Sequence, residues 1–307
     1  MKHALYSGIF LVTVALQIVA PPTLTASVQA LIAKNDFAQA DGLVRNYQKA
    51  KGTTPDVLEA LSWLGRGTLA QRNYQQAEAY ATETYRLCLN ALKSRKVDAE
   101  EHLPNALGAS IEVEAQAMAA LGKRAEAVAY LRNELVNWRE TSITTRIQKN
   151  INELILVGST PPPLEIKEWL GPKPAVLASL KGKPVLLFFW AHWCPDCKIQ
   201  GPSLAKLKTK YGPAGLVLVA PTQLYGYIAG GTEASPEKEK TYIDQVRHKY
   251  YSGLLNVQAP LSEENFKIYG VSTTPTLVLL DRKGIVRMYH PGRMTPAELE
   301  AEIKRVL

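Results

Sequence analysis

Trp190-Ala191-His192-Trp193-Cys194-Pro195-Asp196-Cys197 decides the fold, because the residues on either side of it change character. Before it runs Val185-Leu186-Leu187-Phe188-Phe189, a short apolar block rich in β-formers that predicts a strand buried on both faces. After it, Leu204, Leu207 and Tyr211 recur at helical spacing. The two thiols therefore stand at a strand-to-helix corner, with Cys194 at or just before the first helical turn. Unsatisfied amide N–H groups and the helix dipole favour an anion there, which stabilises a Cys194 thiolate. Cys197 follows one turn later, placed to attack a mixed disulfide formed on Cys194.

Other uses of such a pair fit less well. A structural disulfide across two intervening residues closes almost no loop and adds little stability. A zinc site needs two more soft ligands, and the third cysteine, Cys88, has no Cys/His cluster beside it. Haem attachment requires His directly after the second Cys, where this chain has Lys198. A peroxidatic cysteine would stand alone with Thr or Ser upstream, whereas Ala191 sits three residues before Cys194.

With Pro202 five residues beyond Cys197, Pro162-Pro163 and the Leu180-Lys181-Gly182-Lys183-Pro184 lead-in, the stretch resembles the active site of TlpA-like thioredoxin-fold thiol–disulfide oxidoreductases. The resemblance runs over about the last half of the chain, from Pro161 to Leu307. It implies an α/β thioredoxin-like domain in which Cys194 and Cys197 are catalytic and form a redox-active disulfide. A second signature is Val271-Ser272-Thr273-Thr274-Pro275-Thr276-Leu277-Val278, where a proline heads a strand-like run and removes a ladder donor. The family keeps a cis-proline there, packed against the CxxC. By that resemblance Trp193, Thr274 and Pro275 hold the substrate chain, Thr274 through its free backbone.

Two positions depart from the family pattern. Classical thioredoxin has a buried Asp in the strand before the motif, where this chain has Phe188, and many TlpA-type reductases have Glu where it has Gln200. Neither carboxylate is present to accept the Cys197 proton. Asp196 would oppose a Cys194 thiolate, and a protonated His192 would favour it; the alternative is that both are loop residues facing water.

The rest of the 307-residue chain has room for a second domain. A hydrophobic content of 46% with 21% charged residues is that of a globular protein. The formal charge of +8 suits a basic solvated surface; no basic block alternates with stacking aromatics, so no nucleic-acid partner is expected. Met1-Lys2-His3, the apolar run Ile9–Ala20 and the small residues Ala26 or Ala30 read as a secretory signal, with an uncleaved anchor helix as the alternative. The run is shorter than the roughly 20 residues of a comfortable membrane span.

From Ser27 to Ile155 the pattern is helical almost throughout. Asp36–Ala40, Asn73–Ala77 and Lys123–Ala127 each open a helix with an alanine at the same offset, and Leu64-Gly65 precedes the second. These features resemble tetratricopeptide repeats, whose small residues let paired helices pack closely. Cys88 falls on an apolar helix face and reads as a core thiol; His102, in a charged stretch, reads as exposed. Gly158-Ser159-Thr160-Pro161-Pro162-Pro163 marks a boundary. Beyond it strands and helices alternate, and the glycine-bearing segment Thr222–Ser235 leaves a central strand toward the dithiol.

The expected chain is thus multidomain: a signal peptide over 1–26, an all-α tetratricopeptide-like domain over 27–157, a linker over 158–164 and an α/β thioredoxin-like, TlpA-type domain over 165–307. The expected function is that of an exported reductase of protein disulfides, periplasmic or otherwise extracytoplasmic. It needs neither cofactor nor metal. Its partners would be protein thiols and disulfides, a membrane electron donor implied by the family, and a protein bound by the helical domain. A thiol oxidase, or a binding module in which the helical repeats are the functional surface, are the alternatives.

Overall fold

The computed structural model describes residues 22–307. The expected signal segment falls outside this range except for residues 22–26, and Ala26 and Ala30 both sit inside the first helix.

Seven helices come first: α1 (Leu24–Ala33), α2 (Phe37–Lys51), α3 (Pro55–Ala70), α4 (Tyr74–Ala91), α5 (His102–Ala120), α6 (Arg124–Asn137) and α7 (Thr144–Ile155). Their starts are written locally. The side chains of Thr23, Asp36, Thr54 and Asn73 each accept a hydrogen bond from a backbone N–H in the first turn, and Pro55 supplies a preset φ at the start of α3. Successive helices form hairpins, and the first members of the pairs, α1, α3 and α5, pack side by side. Ala40, Ala77 and Ala127 are fully buried at these contacts. Gly65 sits where a methyl group would touch Tyr80 Cβ and Val113 Cγ1 at 3.5 Å, so α3 meets both neighbours closely.

Cys88 is buried in this core, and burial, with a smaller push from Glu100, raises its thiol to about 12. His102 is not simply exposed. It is half-buried at the start of α5, its Nδ1 2.5 Å from Glu59 Oε2 and its Nε2 3.3 Å from Asp56 Oδ1, both on α3. The hydrogen bond to Glu59 raises its pKa against the opposing effect of burial.

The second half contains β1 (Glu168–Leu170), β2 (Val185–Phe189), α8 (Pro195–Tyr211), β3 (Val217–Val219), α9 (Pro236–Tyr250), β4 (Ala259–Leu261), α10 (Glu263–Ile268), β5 (Thr276–Leu280), β6 (Val286–Pro291) and α11 (Pro296–Val306). Four strands make the central sheet in the order β3-β2-β5-β6, with β2 parallel to β3 and antiparallel to β5. β1 and β4 form a small antiparallel pair beside it. Every residue of β2 is buried, which is why it lacks polar alternation. Leu186 and Phe188 face a core shared with Leu204 of α8, Ile243 of α9 and Ile303 of α11. Val185, Leu187 and Phe189 face the opposite core, with Phe266 of α10, Tyr269 and, from the end of the helical half, Leu156.

The two halves are joined by direct contacts. Asn152 Nδ2 of α7 donates to Ile268 O at 3.1 Å. Gly158 N donates to Val286 O at 2.8 Å, Val286 N returns a bond to Ser159 O at 3.0 Å, and Tyr269 Oη donates to Pro162 O at 2.6 Å. The proline-rich segment therefore lies along β6 and α10. Gly270, with φ of +62°, lies so close to α7 that an added Cβ would be 2.3 Å from Lys149 N.

Candidate active site

The sheet delivers the site. β2 ends at Phe189, which pairs with Thr276, the first residue of β5. Phe189 leads into the cysteines and Thr276 follows Pro275, so this one register brings both signatures together. The corner is held by Trp190, whose Nε1 donates to Ala220 O at 3.1 Å, and by Thr222 Oγ1, which donates to Trp190 O at 2.9 Å.

Cys194 is the N-cap of α8 and Pro195 its first residue. Cys194 and Cys197 are joined in a disulfide and both are buried. The Cys197 N–H points at Cys194 Sγ, 3.0 Å away, the kind of donor that stabilises a thiolate at that atom. Across from it the Thr274–Pro275 peptide is cis, as the resemblance implied, and Thr274 O lies 3.3 Å from Cys194 Sγ. Thr276 Oγ1 donates to Thr273 O at 2.7 Å and Gly292 N to Pro275 O at 2.7 Å, fixing the loop.

The two departing positions are apolar or structural. Phe188 is buried edge-on against Tyr251. Gln200 is buried, its Oε1 accepting from Met294 N at 3.0 Å and its Nε2 donating to Ser203 Oγ at 2.9 Å. It ties α8 to the turn before α11, where an ionised side chain would lose half of this pairing.

Asp196 is exposed, and Arg293 Nε lies 3.6 Å from its carboxylate, offsetting the charge it presents to Cys194. His192 does not face water. Only 1% exposed, it lies 3.3 Å from Glu239 Oε1, a carboxylate buried to the same degree, and Tyr225, Tyr227 and Tyr242 meet its ring edge-on. Burial lowers its pKa, with Glu239 opposing. That shift disfavours the cation required for thiolate stabilisation from this position. Trp193, by contrast, is 45% exposed beside the dithiol and packs edge-on against Tyr225.

Glu239 also accepts from Tyr225 N at 2.6 Å and Gly226 N at 2.8 Å. It thus clamps the Thr222–Ser235 segment onto the corner, and Tyr225 joins Trp193 and His192 in one aromatic layer. Neither Glu239 nor Tyr242 stood out from the sequence. The one available signal was register: Glu239 shares the buried face of α9 with Ile243 and Val246, and a carboxylate on such a face needs a partner. Among the described residues no group of His, Cys, Asp and Glu side chains is placed to hold a metal ion, and no helix is long and apolar enough to cross a membrane.

A CxxC disulfide at a helix N-terminus, opposed by a cis-proline loop at the head of the adjacent antiparallel strand, defines a thiol–disulfide oxidoreductase of thioredoxin fold. The chain belongs to the thioredoxin-like family, and residues 173–307 match its thioredoxin-like domain. It is similar to the thioredoxin-like protein YneN of Bacillus subtilis strain 168, with 30% identity over 149 residues covering 48% of this chain and 78% of that protein. It is similar also to the thiol-disulfide oxidoreductase ResA of Bacillus thuringiensis strain Al Hakam, at 28% identity over 50% of this chain and 80% of the relative. The thiol:disulfide interchange protein DsbE of Escherichia coli strain K12 is 27% identical, over 50% of this chain and 74% of that protein.

Proposed function

We propose that the protein is an exported reductase of protein disulfides, with Cys194 as nucleophile and Cys197 as resolving thiol. The Cys194 thiolate attacks one sulfur of a substrate disulfide, forming a mixed disulfide and expelling the first substrate thiolate. The Cys197 thiolate then attacks Cys194 Sγ, expelling the second substrate thiolate and closing the Cys194–Cys197 disulfide. Two electrons pass from the dithiol to the substrate, and a membrane-bound dithiol donor returns them. Trp193, Thr274 and Pro275 hold the substrate chain. The observation that carries this reading is the Cys194–Cys197 pair with its sulfur 3.3 Å from the carbonyl that precedes the cis-proline.

The division into a helical domain over 27–157 and a thioredoxin-like domain over 165–307, joined by 158–164, belongs to the same proposal. A tetratricopeptide-like character for the first is supported by the hairpin array and the three buried alanines. Export rests on the basic start and apolar run of the first twenty residues. Cleavage after Ala30 would remove the Thr23 cap and the buried Val28. The exported chain therefore keeps α1 whole only if it is cut upstream of Thr23 or stays uncut, which N-terminal sequencing decides.

Direction is tested by the reduction potential of the couple, equilibrated against glutathione buffers. A value near about −270 mV, as for thioredoxin, is expected of a reductase; one near about −120 mV would make the protein a thiol oxidase. The second step is tested by Cys197→Ser, which should accumulate a mixed disulfide at Cys194. If Cys194→Ser accumulates it instead, the roles are exchanged.

A further inference from the structure

Glu239 stands on the buried face of α9 with Ile243 and Val246 and is only 1% exposed. Burying a carboxylate costs free energy that an apolar residue at the same position avoids, so stability alone does not account for it. Its contacts show where the charge is directed. Oε1 accepts from Tyr225 N at 2.6 Å, Oε2 accepts from Gly226 N at 2.8 Å, and His192 Nε2 lies 3.3 Å from Oε1. One side chain of α9 thereby joins two parts of the site that are far apart in sequence. Between Gln223 and Ala234, the hydrogen bonds that reach the rest of the described chain all end on Glu239. The others close within the segment, as from Ile228 N to Thr232 O at 2.8 Å and from Ala234 N to Gly226 O at 3.0 Å.

Both parts lead back to Cys194. Its N–H donates to Ala191 O at 3.2 Å, closing a turn in which His192 and Trp193 are the two central residues. His192 is therefore fixed from inside by the turn that sets the reacting sulfur and from outside by Glu239. Tyr225, whose backbone N–H Glu239 holds, meets the rings of His192 and Trp193 edge-on, each with centroids 5.5 Å apart. Tyr227 and Tyr242 meet His192 edge-on as well, at 5.5 and 5.4 Å. The exposed indole of Trp193 thus rests on a ring whose backbone is tied down by one buried carboxylate.

We propose that Glu239 is a positioning residue for the exchange reaction: it holds Tyr225 under Trp193, and His192 within the Cys194 turn, so that a substrate chain meets the indole and the sulfur as one preset surface. The carboxylate touches neither the substrate nor the sulfurs and acts through the two rings. A peptide long enough to cover Trp193 gains from this arrangement, whereas the short glutathione chain gains little. The role deepens the thiol–disulfide reading and rests on it for the identity of the substrate, but it does not depend on the direction in which electrons flow.

The test reads an equilibrium at Cys194 in the full chain carrying Cys197→Ser, where no resolving thiol competes. Glutathione held on Cys194 is exchanged for a peptide with a central cysteine: the peptide thiolate attacks Cys194 Sγ, glutathione leaves as its thiolate, and mass spectrometry counts the two mixed disulfides. The peptide should be preferred. Glu239→Gln keeps the size of the side chain but leaves one loop amide without an acceptor, and should cut that preference roughly tenfold. Tyr225→Ala, which removes the ring and keeps the carboxylate, should cut it as far, while Tyr225→Phe should hold it within about twofold. A corner that is merely loosened exposes Cys194 to both thiols alike and leaves the ratio where it was. No peptide preference in the parent, or an unchanged ratio in either variant that folds, overturns the positioning role; if Glu239→Gln does not fold, Tyr225→Ala against Tyr225→Phe decides. The reduction potential keeps the two proposals apart. A preference that falls as described in a protein with an oxidant's potential keeps the positioning role and sinks the reductase, and an unchanged ratio in a protein with a reductase's potential does the reverse.

Discussion

Gly270→Ala tests whether the two halves are locked as described. Gly270 has φ of +62°, and an added Cβ would lie 2.3 Å from Lys149 N, 2.5 Å from Lys149 Cα and 2.7 Å from Gln148 C. Those are backbone atoms of α7 and cannot rotate aside as a side-chain tip would. The left-handed conformation alone costs a non-glycine residue about 1–2 kcal/mol. Forcing a methyl into a closed packing adds typically 1–3 kcal/mol, giving a total of about 2–5 kcal/mol. Gly230→Ala is the matched control, since Gly230 has φ of +69° with nothing within 4 Å of its added Cβ. It should cost only the conformational part. Urea unfolding followed by circular dichroism compares the two, and hydrogen exchange at the Gly158 and Val286 amides reports the junction itself. Gly270→Ala should lower the midpoint more than the control does and speed exchange at both amides. Two variants within about 0.5 kcal/mol of each other, with unchanged exchange, would refute the close seating of Gly270 on α7.

Glu239→Ala removes a buried carboxylate that receives two loop amides and faces His192, and should destabilise the chain by roughly 3–5 kcal/mol in urea while altering Trp193 fluorescence; a loss under about 1 kcal/mol would deny it the clamp role. His102 gains its partners on folding and its pKa is raised, so its stabilising contribution is full below about pH 6.5 and disappears as pH rises through the folded value. The urea midpoint lost on His102→Gln should accordingly be largest near pH 5 and smallest near pH 9, and the reverse trend would contradict the Glu59 bond. Buried and raised to about 12, Cys88 should resist iodoacetamide at pH 8 in the native chain and react in urea; native labelling at the unfolded rate would place it at the surface.

Features governed by short stretches were legible in the sequence. β2 reads as a strand because both of its faces are buried, leaving five apolar residues in a row. The helix starts at Thr54-Pro55, Ser235-Pro236 and Thr295-Pro296 are equally local, because a cap and a preset φ act within one turn. The dithiol corner was legible for the same reason, being a compact motif, whereas the cis-proline was implied only by the family resemblance. What escaped depends on elements distant in the chain. His192 reads as a loop residue until α9 arrives with Glu239 and Tyr242, and it is the closed aromatic and carboxylate shell that puts it in the core. The 158–164 segment reads as a spacer because nothing local announces that β6 will pair with Gly158 and Ser159.

The same distinction bears on how such a protein chooses substrates. Thiol–disulfide exchange at a helix N-terminus is generic chemistry, set by two sulfurs and the amides around them, and it carries little information about the partner. If the substrate chain lies along Thr274 as proposed, selectivity comes from the surfaces within its reach. On one side that is the exposed Trp193, backed by the half-buried Tyr225, which Glu239 positions. On the other side Thr273 opens directly onto the helical half, which the Gly270 contact holds at a fixed spacing. A thioredoxin domain freed from α5 and α7 would keep its dithiol corner, whose hydrogen bonds all lie within residues 190–292, so its reactivity toward small disulfides should survive.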